Sequence, residues 1–141
     1  MYTITVSNLN DSGPGSFRSA IELANQYTGV DEIEIVFDAS LAGGTLHLQS
    51  ELPTISSAVP VVVGAPEGGI VITGYGLDTD SALTLNNITL PSLTVQESGS
   101  IQGSGIVFTG SGAVLDMRIY SDLSKLQASA TSSGAYVNIS N

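Results

Sequence analysis

The stretch Val6–Asn25, VSNLNDSGPGSFRSAIELAN, decides how the chain is read, because it changes conformation twice within a few turns. Tyr2 to Ser7 (YTITVS) alternates β-favouring residues and runs into it as a strand. Asn8 to Gly15 (NLNDSGPG) then crowds turn formers into one loop. Ser16 offers a hydroxyl N-cap, and Phe17, Ala20, Ile21 and Ala24 follow at i, i+3, i+4 and i+7. This predicts one amphipathic helix from Ser16 to about Tyr27, ended near Gly29 as a C-terminal glycine would end it. Its single apolar stripe needs a surface to lie on.

After Asp31 the pattern becomes a series of short apolar runs: Ile33 to Phe37, Leu46 to Leu48, Val59 to Val63, Ile70 to Thr73 and Leu83 to Leu85. Ile88 to Leu90, Leu93 to Val95, Ile106 to Phe108, Ala113 to Met117, Leu126 to Ala128 and Tyr136 to Ile139 continue it. Gly, Ser, Asn, Asp or Pro separates nearly all of them, which argues for strands ended by turns. The starts at Ile33, Val59, Ile88, Ala113 and Tyr136 recur at about 25 residues, as do Leu46, Ile70, Leu93 and Ile119. A less regular third series runs through Ile55, Leu83, Ile106 and Leu126.

Three interleaved series of this period predict an all-β, three-sided solenoid of about four to five coils, with the short N-terminal helix as its cap. An antiparallel sandwich would need several hairpins, yet Asn-Gly and Asp-Gly are absent throughout. The expected organisation is one domain over 1–141, with strand, turn and capping helix in 1–30 and coils in 31–141.

The same residues resemble a known group of proteins. Val6–Asn25, then Asp31, Phe37-Asp38-Ala39-Ser40-Leu41, Leu46-His47-Leu48, Leu52-Pro53-Thr54-Ile55 and Ile70-Val71-Ile72-Thr73-Gly74, are similar to the N-terminal capping module and first coils of large bacterial secreted or surface β-helix proteins. The specific part is Asp11-Ser12-Gly13-Pro14-Gly15-Ser16-Phe17-Arg18. The resemblance implies a right-handed, pectate-lyase-like parallel β-helix at the cell surface or outside the cell, with an adhesin-like role. It implies a structural cap formed by Asp11, Gly13, Gly15, Ser16, Phe17, Arg18 and Ile21, and supplies no catalytic site. The strand-like end at Tyr136-Val137-Asn138-Ile139 shows no second cap, so either the chain is a cut fragment or its open end meets another molecule, a second copy stacked end to end in a filament.

Composition narrows the partners. Charged residues make up 11% of the chain, so the surface is built largely from Ser, Thr, Asn, Gln and Gly. A formal charge of −10 with only Arg18, Arg118 and Lys125 as cations removes the footprint that nucleic acid or an anionic membrane surface requires. No apolar run reaches the roughly 20 residues of a membrane span. No signal peptide precedes Tyr2, so export implies a leader removed or another signal. Without cysteine there are no disulfides or thiolate metal sites.

The candidate chemistry is sparse. Arg18, just inside the helix, is placed to bond Asp11 on the preceding loop and brace the turn. Asp31, Glu32 and Glu34 cluster before the first coil, and Asp78 and Asp80 share one loop, but neither set matches a calcium-binding loop and both read as solvated acidic edges. No metal ligands and no cofactor are predicted. A polysaccharide lyase would need a base beside acidic groups, for which Arg118 near Asp116 and Asp122 is the one available constellation. A glycoside hydrolase would need two facing carboxyl groups.

His47, between two leucines, turns toward solvent, and no Ser sits in a nucleophile elbow. Gly43-Gly44, Gly68-Gly69 and Gly103-Ser104-Gly105 read as turns between coils. Asn10, Asn87 and Asn138 head glycosylation sequons of the kind that Ser/Thr-rich chains often contain. The chain is therefore expected not to be an enzyme but an extracellular structural or adhesive module, with glycan binding through Tyr75 and Tyr120 as the alternative and a lyase or hydrolase as the third reading.

Overall fold

The computed structural model of the protein describes residues 2–27, 29–95, 100–108, 114–117, 126–130 and 136–139. β1 (Tyr2–Val6) leads through the turn into α1 (Phe17–Gln26), and β2 (Ile33–Phe37), β3 (Thr45–His47), β4 (Val61–Gly64), β5 (Ile70–Thr73) and β6 (Leu77–Thr79) follow. Then come β7 (Ala82–Asn86), β8 (Ile88–Leu90), β9 (Ser92–Val95), β10 (Ser100–Phe108), β11 (Val114–Met117), β12 (Leu126–Ala130) and β13 (Tyr136–Ile139).

Period-two alternation orients the strands. In β2, Ile33, Ile35 and Phe37 are buried while Glu34 and Val36 lie partly open. Paired strands run parallel and stack like on like: Ile4 opposite Ile35, Ile35 opposite Val63, Val63 opposite Leu85. Leu46 stands opposite Ile72, Ile70 opposite Ile88 and Leu77 opposite Leu93. The core is this set of aliphatic rows, and fully burying each such side chain contributes about 2 kcal/mol.

α1 closes one end of the core. Ser16 Oγ accepts from Ser19 N at 3.2 Å and donates to Gly13 O at 2.7 Å, so the predicted cap residue holds the first turn. Phe17, Ala20, Ile21 and Ala24 are buried, and the Phe17 ring meets Phe37 with centroids 5.1 Å apart, tilted by 45°. The helix stops at Tyr27, and Gly29 follows at φ 90°.

The three-sided right-handed solenoid does not describe this arrangement. The described strands form two parallel sheets, of nine and four strands, and these are not a closed solenoid. The nine-stranded path is β1-β2-β4-β7-β10-β8-β5-β3, with β12 beside β10, and the other sheet is β13-β11-β9-β6.

The physical reason lies in β10, which pairs with β7 through Ser100–Ser104 and with β8 through Val107–Phe108, joining two ladders that would otherwise be separate. Gly103-Ser104-Gly105, expected as a turn, continues as strand, with a register irregularity between Gly103 and Ile106 on the β12 side. The 25-residue series also mixed ladders, since Ile88 follows Ile70 in register and not Val59. Apolar runs of three to five residues look alike, and pairing is decided by the unequal segments between them.

Two smaller differences have local causes. β4 begins at Val61 because Pro60 has no N–H to give a ladder, although its carbonyl accepts from Ile33 N at 3.0 Å. Leu77–Thr79 is a strand that the neighbouring aspartates concealed, so Asp78 and Asp80 do not share a loop.

Gly74, at φ 93°, turns the chain after β5 so tightly that a Cβ would press into the Leu48 carbonyl oxygen. Gly13, at φ 95°, has open space around it. Gly74→Ala is expected to lower unfolding free energy by roughly 1–3 kcal/mol more than Gly13→Ala, which carries only the conformational penalty of about 1 kcal/mol. Urea denaturation of the two variants measures the difference.

Candidate functional site

Three of the polar residues singled out in the sequence, Asp11, Ser16 and Arg18, meet at the turn before α1. Gly15 O accepts from Ser7 N at 2.9 Å and Asn8 N at 3.3 Å, and Asn8 Nδ2 donates to Pro14 O at 3.0 Å, which closes the NLNDSGPG loop on itself. Gly13 and Gly15 take positive φ to allow this. The loop delivers Asp11 to Arg18, whose Nη2 lies 3.3 Å from Asp11 Oδ1 and whose Nε donates to Asp11 O at 3.0 Å.

The same guanidinium reaches a segment far along the chain. Nη1 donates to Glu51 O at 2.7 Å, and Nη2 donates to Ser50 O at 2.9 Å and to Ser50 Oγ at 3.0 Å. Asp11 Oδ1 also accepts from Gln49 N at 2.8 Å. About two turns further along α1, Asn25 Nδ2 donates to Thr54 O at 2.9 Å while its Oδ1 accepts from Ser56 N at 2.8 Å. The helix is thus bolted to residues 49–56 at both ends.

Gln49, Ser50, Glu51 and Asn25 carry no signal in the sequence, because their partners lie 29 to 38 residues away and several are backbone atoms. Chemically the cluster is closed. The planar fork of Arg18 faces carbonyls, a hydroxyl and one carboxylate, which satisfies it within the fold.

A second polar knot joins the segment around Ile55 to the turn after β6. Ser81, 5% exposed, donates through Oγ to Ser57 O at 3.0 Å and accepts from Ser57 N at 2.7 Å, while its own N–H bonds Thr79 Oγ1 at 3.1 Å. Among the described residues no buried side-chain nitrogen or oxygen lacks a partner.

The proposed glycan contact is split. Tyr75 stands 42% exposed directly after Gly74. Tyr120 lies outside the described residues, as do Arg118, Asp122 and Lys125. Asp116 falls in β11, in register with Thr94 and Asn138. His47 is exposed and its Nδ1 lies 2.8 Å from Thr73 Oγ1. Among the described residues no three His, Asp or Glu side chains are grouped as metal ligands. A groove of about 250 Å³ is lined by Glu67, Gly68, Gly69, Asn87 and Thr89. It offers one carboxylate and falls below the volume usual for a small-molecule site.

Protein-family models, curated proteins and solved structures all give no match to this chain.

Arg18→Ala removes donors from three backbone carbonyls and leaves Asp11 short of its cation, so a loss of about 1–3 kcal/mol is expected on chemical denaturation. Arg18→Lys is expected to recover less than half of it, since a single ammonium does not span a fork. Ser81→Ala is expected to cost a similar amount, because it leaves the Ser57 amide without its acceptor.

Proposed function

We propose that the chain is an extracellular or cell-surface structural module with an adhesive role. The observation that carries the reading is the fate of its strongest polar cluster: Arg18 and Asp11 bond the backbone of residues 49–51 and lock α1 over the core. Parallel apolar rows supply a stiff interior, and the outward positions of β2, β4 and β7 present a face with little charge. The extracellular location rests on the resemblance of the Asp11–Arg18 block to surface-protein capping modules. Self-association by strand addition at a sheet edge belongs to the same reading.

Exposed Tyr75 favours a second reading, in which its ring stacks on a sugar of a surface glycan.

Two measurements test these readings. Incubation with pectin-like and alginate-like polymers is expected to release no new reducing or unsaturated ends, and steady release would overturn the structural reading. On a glycan array, Tyr75→Ala is expected to weaken any retained glycan at least tenfold, about 1.4 kcal/mol, while changing stability by less than about 0.5 kcal/mol. An array blank for the unaltered protein overturns the second reading.

A further inference from the structure

Tyr2 opens β1 and Tyr27 ends α1, and the fold lays one ring on the other with centroids 3.9 Å apart and planes within 5°. Both rings are held from the backbone. Tyr2 N donates to Glu32 O at 2.9 Å, with Tyr2 in register opposite Ile33, and Tyr27 N donates to Leu23 O at 3.1 Å as the helix C-cap. Both side chains pack against the core yet remain partly open to solvent, so a small oxidant can reach them. Among the described residues the other ring pair, Phe17 and Phe37, is buried and has no phenol, and Tyr75 makes no ring contact.

We propose that Tyr2 and Tyr27 form an oxidative cross-linking site that closes to a dityrosine. A peroxidase-type oxidant with hydrogen peroxide takes one electron and one proton from each phenol, giving two tyrosyl radicals. The radicals couple through a carbon–carbon bond between ring positions ortho to oxygen, and the two ortho hydrogens move as protons to the oxygens and restore both phenols. Two electrons and two protons leave in all, and hydrogen peroxide accepts them to become two waters. Tyrosyl radicals couple only on ring contact, and here the contact is already made, so coupling within one molecule outpaces encounter between molecules. The bond would tie the start of the edge strand β1 to the end of the helix packed beside it, closing the loop between them covalently.

Dilute, full-length protein treated with a peroxidase and hydrogen peroxide tests this by intact mass, dityrosine fluorescence and peptide mapping after cleavage at acidic residues. The expected product is a monomer lighter by two hydrogens whose linked peptides contain Tyr2 and Tyr27. Tyr2→Phe and Tyr27→Phe keep the stacked ring but remove the oxidisable phenol, and each should cut the monomeric product at least tenfold, whereas Tyr75→Phe should leave it unchanged. The proposal is overturned if dityrosine appears only between molecules, if the monomeric link persists in either phenylalanine variant, or if the mapped link joins other tyrosines.

Discussion

Everything in this fold depends on parallel strands stacking with like side chains in register. Ile4, Ile35, Val63 and Leu85 form one continuous row, and Ile33, Val61 and Leu83 form the next. A slip of one residue would turn each row outward and bring Glu34 into the interior, so burial itself enforces the register. Parallel pairing has a second requirement, since successive strands cannot be joined by tight hairpins and each must be reached by a crossing segment. Those segments carry Leu48, Leu52 and Ile55 inward, so the connections help to fill the core they go around.

A stack of this kind leaves an apolar end wherever it starts. At β1 that end is met by α1, whose buried face of Phe17, Ala20, Ile21 and Ala24 lies over the core. Packing fixes this ten-residue helix through Phe17 and Ile21, while Ala20 and Ala24 add little grip. The polar bolts at Arg18 and Asn25 add directional bonds to atoms of residues 50–56. The direction of causation matters for function. An arginine and an aspartate close together suggest an ion-binding site, but here their geometry is complementary to the protein's own backbone, which makes them part of the scaffold.

The polar groups away from the helix are satisfied in a different way. Thr79 is paired with Ser81 close by, Ser81 reaches across to Ser57, and His47 shares its hydrogen bond with a threonine. Reactive chemistry usually shows as polar groups that converge on a space a substrate could fill. In the described part of this chain the polar side chains named here converge on turns and on the backbone of neighbouring segments.

Much of the local structure was legible in the sequence. The Ser16 cap, the helix stripe and the strands at Ile33–Phe37, Ile70–Thr73, Ile88–Leu90 and Tyr136–Ile139 follow from near-neighbour patterns, because capping bonds and side-chain alternation act over a few residues. The pairing of Arg18 with Asp11 was also readable, since seven residues and one turn separate them. Which strand lies beside which was decided only by the tertiary structure. The run at Ile88 could have followed Val59 by spacing, yet it follows Ile70, and two glycines expected to break β10 let it bridge two ladders and make two sheets where three sides were anticipated. Ser50, Glu51 and Asn25 at the bolts and the stacked Tyr2 and Tyr27 were invisible for the same reason. Their partners are set by how unequal connecting segments fold back in space, and hydrophobic spacing along a chain records which residues point inward but not which inward residues meet.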